Sequence, residues 1–217
     1  VTARPEAILF DWDNTLVDGW AAIERGLNDA FDAFGLRRWS REEVLENVRL
    51  SLRDSFPRIF GADWERARDI FYAGVRACHL EVLRPLPGTE AMLDAAAPLP
   101  LGVVSNKQGP LLRREAEHLG WADRFGAVIG AGDAAADKPS AAPILMALQA
   151  MKLRPSPRVW YVGDTAVDMQ AARAAGCRAV LLGDAAHDGG VAFCSPDIHL
   201  RDAAAMAQLL LSLDNAA

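Results

Sequence analysis

Ala7-Ile8-Leu9-Phe10-Asp11-Trp12-Asp13-Asn14-Thr15 decides how the rest of the chain is read. Four apolar residues run without a break into a polar turn that carries two acids. Such a run fits a strand covered on both faces, as in a parallel sheet, better than an alternating surface strand. The design recurs downstream. Leu101-Gly102-Val103-Val104 ends in Ser105-Asn106-Lys107, and Ala127-Val128-Ile129 ends in Gly130-Ala131-Gly132-Asp133. Val159-Trp160-Tyr161-Val162 ends in Gly163-Asp164-Thr165, and Ala179-Val180-Leu181-Leu182 ends in Gly183-Asp184.

Helical patterns separate these runs. One spans Gly109 to Leu119 and stops at Gly120; Ser140 caps a second that reaches about Lys152; a third begins near Thr165 and closes at Gly176. A weak strand near Ile198 and a helix over Arg201–Leu213 complete the series. Strand and helix alternate, so the expected class is α/β with a mainly parallel sheet. From Asp18 to Leu83 the alternation fails. Trp20, Ile23, Leu27, Phe31 and Phe34 recur at helical spacing up to Gly35. Ser40 and Glu43 form a capping-box signature, and Asp63 is placed to cap a further helix with Ile70, Phe71 and Val75 on its inner face. Arg84-Pro85-Leu86-Pro87-Gly88 reads as a linker. The expected organisation is a core of residues 1–16 and 86–217 with a helical insertion over 17–85.

Composition narrows the function. The chain of 217 residues is 51% hydrophobic, ample for a buried core. A net charge of −6 argues against nonspecific nucleic-acid binding, which is driven by cations neutralising phosphates. No segment has the length and apolarity of a membrane span, and the first residues show no signal-peptide pattern. Cys78, Cys177 and Cys194 are odd in number and far apart, which suits buried thiols in a reducing, cytoplasmic setting. His79, His118, His187 and His199 are isolated, and each reads as a surface or half-buried side chain. Gly130-Ala131-Gly132 lacks the rest of a dinucleotide fingerprint and reads as a loop.

In an open parallel sheet, ligands bind beyond the C-terminal strand ends. Asp11, Asp13, Ser105 and Asp164 end strands there, Asp168 follows four residues after Asp164, and Lys138 precedes the fourth strand. Singly, each is ordinary: an acid in a turn, an acid at a helix start, a solvated lysine. Together they place four carboxylates beside one of only three lysines, Lys107, Lys138 and Lys152. Crowded carboxylates call for a cation, and oxygen ligands without His or Cys favour Mg2+.

Asp11-Trp12-Asp13-Asn14-Thr15, Ser105-Asn106-Lys107, Lys138-Pro139 and Gly163-Asp164-Thr165-Ala166-Val167-Asp168 resemble, in order, the motifs of the haloacid dehalogenase superfamily, and the phosphoglycolate phosphatase-like group within it. The resemblance implies a Rossmann-like parallel core with an inserted helical cap, acting on a small phosphorylated metabolite as a monomer or homodimer, without nucleic acid or membrane. It implies that Asp11 attacks phosphorus to form an aspartyl-phosphate, and that Asp13 is first acid and then base. Ser105 and the Asn106 amide would hold phosphoryl oxygens, and Lys138 would neutralise charge. Mg2+ would lie on Asp11, the Asp13 backbone carbonyl and Asp164, with Asp168 holding Lys138 or a metal-bound water. Thr15 is a further candidate at the substrate, and Arg53, in a polar turn with Arg49 and Ser51, is a candidate for a substrate carboxylate. The presence of Asp13, and the absence of lysine from Asp18 to Leu83, set aside dehalogenases and phosphonoacetaldehyde hydrolases. A sugar phosphomutase and a noncatalytic partner-binding domain stay open as alternatives.

Overall fold

The computed structural model describes residues 3–48 and 52–214, with the side chains of 52–54 outside that description. In chain order the elements are β1 (Ala7–Phe10), α1 (Trp20–Ala33), α2 (Arg41–Asn47), α3 (Leu52–Phe60), α4 (Trp64–Val82) and α5 (Thr89–Ala96). Then come β2 (Leu101–Gln108), α6 (Gly109–His118), β3 (Ala127–Ala131), α7 (Ala142–Ala150), β4 (Val159–Gly163) and α8 (Ala166–Ala174). The chain continues through β5 (Arg178–Leu182), a short 3-10 turn at Ala186–Asp188, α9 (Gly190–Cys194), β6 (Ile198–Leu200) and α10 (Ala203–Asp214).

Among the described residues the strands form one six-stranded parallel sheet, in the order β3-β2-β1-β4-β5-β6. This is the α/β, parallel-sheet architecture that the unbroken apolar runs imply, and the Rossmann-like core that the motif resemblance implies. β1 is central and fully buried at every position, since helices cover both faces of a parallel sheet. Leu9 pairs with Tyr161, and both join Val104, Ile144, Leu148, Met169 and Leu181 in one core layer beneath α7 and α8. The chain moves from β1 to β2 and β3 on one side, then returns to β4 on the other. That reversal opens a crevice at the C-terminal ends of β1 and β4.

The chain divides into two compact units, Val1–Val17 with Pro85–Ala217, and Asp18–Arg84. In the second, Leu27, Ala30 and Phe31 of α1 pack with Val44, Phe56, Phe60 and Ala67. Phe31 meets Trp39 edge-on at 4.9 Å between ring centres and Phe60 at 5.7 Å. The Ser40–Glu43 capping box is formed: Glu43 N–H donates to Ser40 Oγ, and Ser40 N–H donates to a Glu43 carboxylate oxygen. Asp18 N–H donates to Arg84 O at 2.9 Å, joining the entry and exit of the insertion.

The elements depart from expectation in instructive places. Arg53 lies in α3, not in a turn; Pro57 inside that helix and its charged residues hid the pattern. Arg49 and Ser51 fall outside the described residues. α5 comes after a Pro-Gly pair that signals only a linker; Gly88 turns at φ +83° and Met92, Leu93 and Ala96 are then buried. Asp63 precedes α4 but makes no side-chain cap bond, because a 3-10 turn at Gly61–Asp63 leads into the helix. α7 starts at Ala142, and the Ser140 hydroxyl accepts from its first N–H. β2 runs through Gln108, past the polar residues expected to end it, by a register shift against β3.

Gly26 of α1 allows a close helix approach. A methyl group there would stand 2.7 Å from Phe71 O and 2.8 Å from a Val75 methyl on α4. Gly26→Ala gains about 1 kcal/mol of helix propensity but meets an overpacking cost of roughly 1–3 kcal/mol. We expect net destabilisation in denaturant unfolding; an equal or higher midpoint would mean that the two helices separate freely.

Candidate active site

The crevice between β1 and β4 collects the acids by register. Phe10 pairs with Val162, and Asp11 N–H donates to Val162 O at 2.8 Å. Asp11 therefore leaves β1 where Asp164, one residue past Gly163, leaves β4. Asp168 sits in the first turn of α8, and its Oδ2 accepts from both the backbone and the hydroxyl of Thr165. Gly163 makes that approach possible, since a Cβ there would stand 2.4 Å from Asp168 Cβ. Carboxylate oxygens of Asp11, Asp164 and Asp168 come within 4.8 Å of one another.

Lys138 enters this cluster with a side chain 3% exposed. Its ammonium donates to Asp11 Oδ1 at 2.7 Å, Asp168 Oδ1 at 2.7 Å and Tyr161 Oη at 2.9 Å, which uses all three N–H bonds. Tyr161 in turn donates its O–H to Val104 O at 2.7 Å. Burial disfavours the ammonium, yet Asp11 and Asp168 outweigh it and hold Lys138 well above the usual lysine range. Burial drives Asp11 the other way, up to about 7, against the pull of Lys138 and with help from Asp168 and Asp164.

Asp164 is also raised, first by burial, with His187 pulling back. Thr15 is fully buried, and its hydroxyl reaches Asp164 Oδ1 at 3.4 Å. Its donor thus faces a carboxylate of the cluster. Asp164 Oδ2 is buried with no hydrogen bond to satisfy it, and His187 Nε2 stands 3.3 Å away. His187 is therefore not the isolated residue its sequence context suggests. The short turn after β5 brings it back to the edge where β4 ends. Its position just beyond another strand end was the available signal.

The donor set fits a hard divalent cation. Both oxygens of Asp168 are engaged, Oδ1 by Lys138 and Oδ2 by Thr165. Asp11 and Asp164 remain as the carboxylates suited to an ion, and Asp164 Oδ2, which has no hydrogen bond and lies 3.3 Å from the His187 ring, is the atom an ion would satisfy.

Ser105 is buried in β2, two residues beyond the Val103 that pairs with Phe10, and so lies level with the Asp11–Asp13 turn. Its hydroxyl accepts from Lys107 N–H at 3.1 Å. The Asn106 amide bonds the Lys138 backbone twice, accepting from its N–H and donating to its carbonyl, each at 3.0 Å. Asp13 stays out of the carboxylate cluster, and its Oδ1 accepts from Lys107 Nζ at 2.7 Å. The Arg53 side chain lies outside the described residues.

The family profile of haloacid dehalogenase-like hydrolases matches residues 8–182. A phosphoglycolate phosphatase of Chromobacterium violaceum is 31% identical over 189 residues, covering 82% of this chain and 85% of its own length. One from Xylella fastidiosa is 33% identical over 180 residues, with 80% and 78% covered. In structure, a haloacid dehalogenase-like hydrolase of Streptococcus pneumoniae superimposes with a TM-score of 0.83 at 22% identity, covering 96% of this chain and 98% of that one. This last likeness speaks for the fold alone.

An aspartate near 3.8 when unfolded and about 7 when folded binds more protons in the native state between those values. At this residue, stability then falls as pH rises through that window. Asp11→Asn should raise the melting temperature of the metal-free protein at about pH 8 and lose that advantage toward about pH 4. An unchanged or lower melting temperature at the higher pH would show that the bond to Lys138 outweighs carboxylate repulsion.

Proposed function

The chain belongs to the haloacid dehalogenase-like hydrolase family and is a phosphatase, and we propose that it cleaves a small phosphate monoester through an aspartyl-phosphate on Asp11. The observation that carries this reading is the buried Lys138 ammonium bonded at once to Asp11 and Asp168 beside the under-satisfied Asp164. Such a group of charges gains from a divalent cation and an anionic substrate arriving together.

In the proposed reaction an Asp11 carboxylate oxygen attacks phosphorus in line with the leaving oxygen. Asp13 gives its proton to that oxygen as the bond to phosphorus breaks. Water then attacks phosphorus, Asp13 takes the water proton, and the bond to Asp11 breaks to free phosphate. Lys138 stabilises charge on Asp11 and on the phosphoryl oxygens throughout, oriented by Asp168, by Tyr161 and through its backbone by Asn106. Ser105 donates to a phosphoryl oxygen. Asp11, Asp164 and the Asp13 backbone carbonyl would hold Mg2+, which would supply Lewis-acid neutralisation of the phosphoryl oxygens.

We assign phosphoglycolate or a similar short anionic ester as substrate, in keeping with the named relatives. The helical unit is proposed to act as a cap that selects the leaving group, with Arg53 as its candidate carboxylate partner. Three free, buried cysteines accord with a reducing compartment, and among the described residues no helix is long and apolar enough to cross a membrane.

Phosphate release from phosphoglycolate with Mg2+ should fall by at least about a thousandfold in Asp11→Asn, the scale seen when a nucleophile is lost. Chelation of divalent cations should abolish wild-type turnover, with recovery on adding Mg2+ back. Retained activity in Asp11→Asn would remove the nucleophile assignment, and chelator-insensitive turnover would remove the metal.

A further inference from the structure

Next to the cluster on Lys138 stands a second set of buried charges that the proposed chemistry leaves unused. Glu115 of α6 is 1% exposed. Its Oε2 accepts from the Trp12 indole N–H at 2.7 Å and from Lys107 Nζ at 2.6 Å. The Lys107 ammonium also donates to Asp13 Oδ1 at 2.7 Å. A closed circuit results. The adjacent residues Trp12 and Asp13 each send a side chain to the same lysine–glutamate pair. Trp12 is further held edge-on against Trp121 at 5.7 Å.

A buried ion pair contributes little net stability, because desolvation offsets the attraction. Packing alone would be served as well by apolar side chains. The circuit does control direction. Asp13 cannot turn from Lys107 without giving up a charge-assisted bond, and Lys107 cannot follow because Glu115 holds it from behind. The Trp12 indole anchors the turn itself to the same glutamate. Proton transfer to a leaving oxygen demands such fixed alignment.

We propose that Lys107 and Glu115 are positioning residues that set the orientation of the Asp13 carboxylate for its two proton transfers. The inference rests on the reading of Asp13 as acid and base. Neither residue touches the reacting atoms; Lys107 acts through Asp13, and Glu115 through Lys107 and Trp12.

The test exploits the leaving group. An alkyl phosphate must have its departing oxygen protonated, whereas p-nitrophenyl phosphate releases a stable phenolate without help. The ratio of kcat/KM for phosphoglycolate to that for p-nitrophenyl phosphate is measured in wild type, Asp13→Asn, Lys107→Met, Lys107→Arg and Glu115→Gln. Lys107→Met should lower the ratio about tenfold or more, Glu115→Gln several-fold in the same direction, and Lys107→Arg should restore most of it. Glu115→Gln keeps the shape of the side chain, so it reports on alignment even where Lys107→Met folds poorly. Equal losses on both substrates, or an unchanged ratio in both Lys107→Met and Glu115→Gln while Asp13→Asn lowers it, would overturn the positioning role alone. An unchanged ratio in Asp13→Asn would overturn the acid assignment and this inference with it.

Discussion

The ammonium of Lys138 is the pivot of the molecule. A lysine this deep would lose its proton without acceptors, and the carboxylates around it would gain theirs without a cation. Neither partner is tolerable alone. β1, β4, α8 and the loop bearing Lys138 must therefore close together for any of them to stay charged. Tyr161 extends the constraint into the sheet, accepting from Lys138 and donating to Val104 O on β2. Asn106 grips the Lys138 backbone from the same strand. Sheet order and site geometry thus depend on one another.

One ammonium does not balance three acids. Asp11 is raised to about 7 first by burial, against the pull of Lys138, with Asp168 and Asp164 adding their repulsion. Asp164 has a buried oxygen without a hydrogen bond, 3.3 Å from the His187 ring. That excess of negative charge is the setting in which the proposed divalent cation would be stabilised. Asp13 lies apart from this cluster, bonded to Lys107, which it shares with Glu115. Asp11 and Asp13 sit two residues apart in sequence, yet they bond to different lysines in space.

Much of this was legible beforehand. The strand ends carrying Asp11, Ser105 and Asp164 stand out because unbroken apolar runs stop at polar residues, and a parallel sheet brings all such ends to one edge. The first helix of the insertion and the Ser40–Glu43 box were equally plain. α3 was not, since Pro57 argues against a helix that packing of Phe56 and Phe60 nonetheless sustains. α5 was missed because Pro87-Gly88 signals a turn and carries no information about the helix beyond it.

By itself the sequence determined the class of the fold, the order of its strands along the chain, and which residue types meet at the sheet edge. These properties come from local periodicity, which each segment carries within itself. The motif resemblance already implied Lys138 beside Asp11 and Asp168; tertiary structure alone decided the other pairs, Lys107 with Asp13 and Glu115, and Thr15 and His187 with Asp164. The Trp12–Glu115 bond links residues 103 positions apart, and the Thr15–Asp164 bond links residues 149 apart. No local pattern encodes such pairs. They arise when the order of strands in space brings particular rotamers within reach, and only then is the cost of burying each charge offset by a specific neighbour.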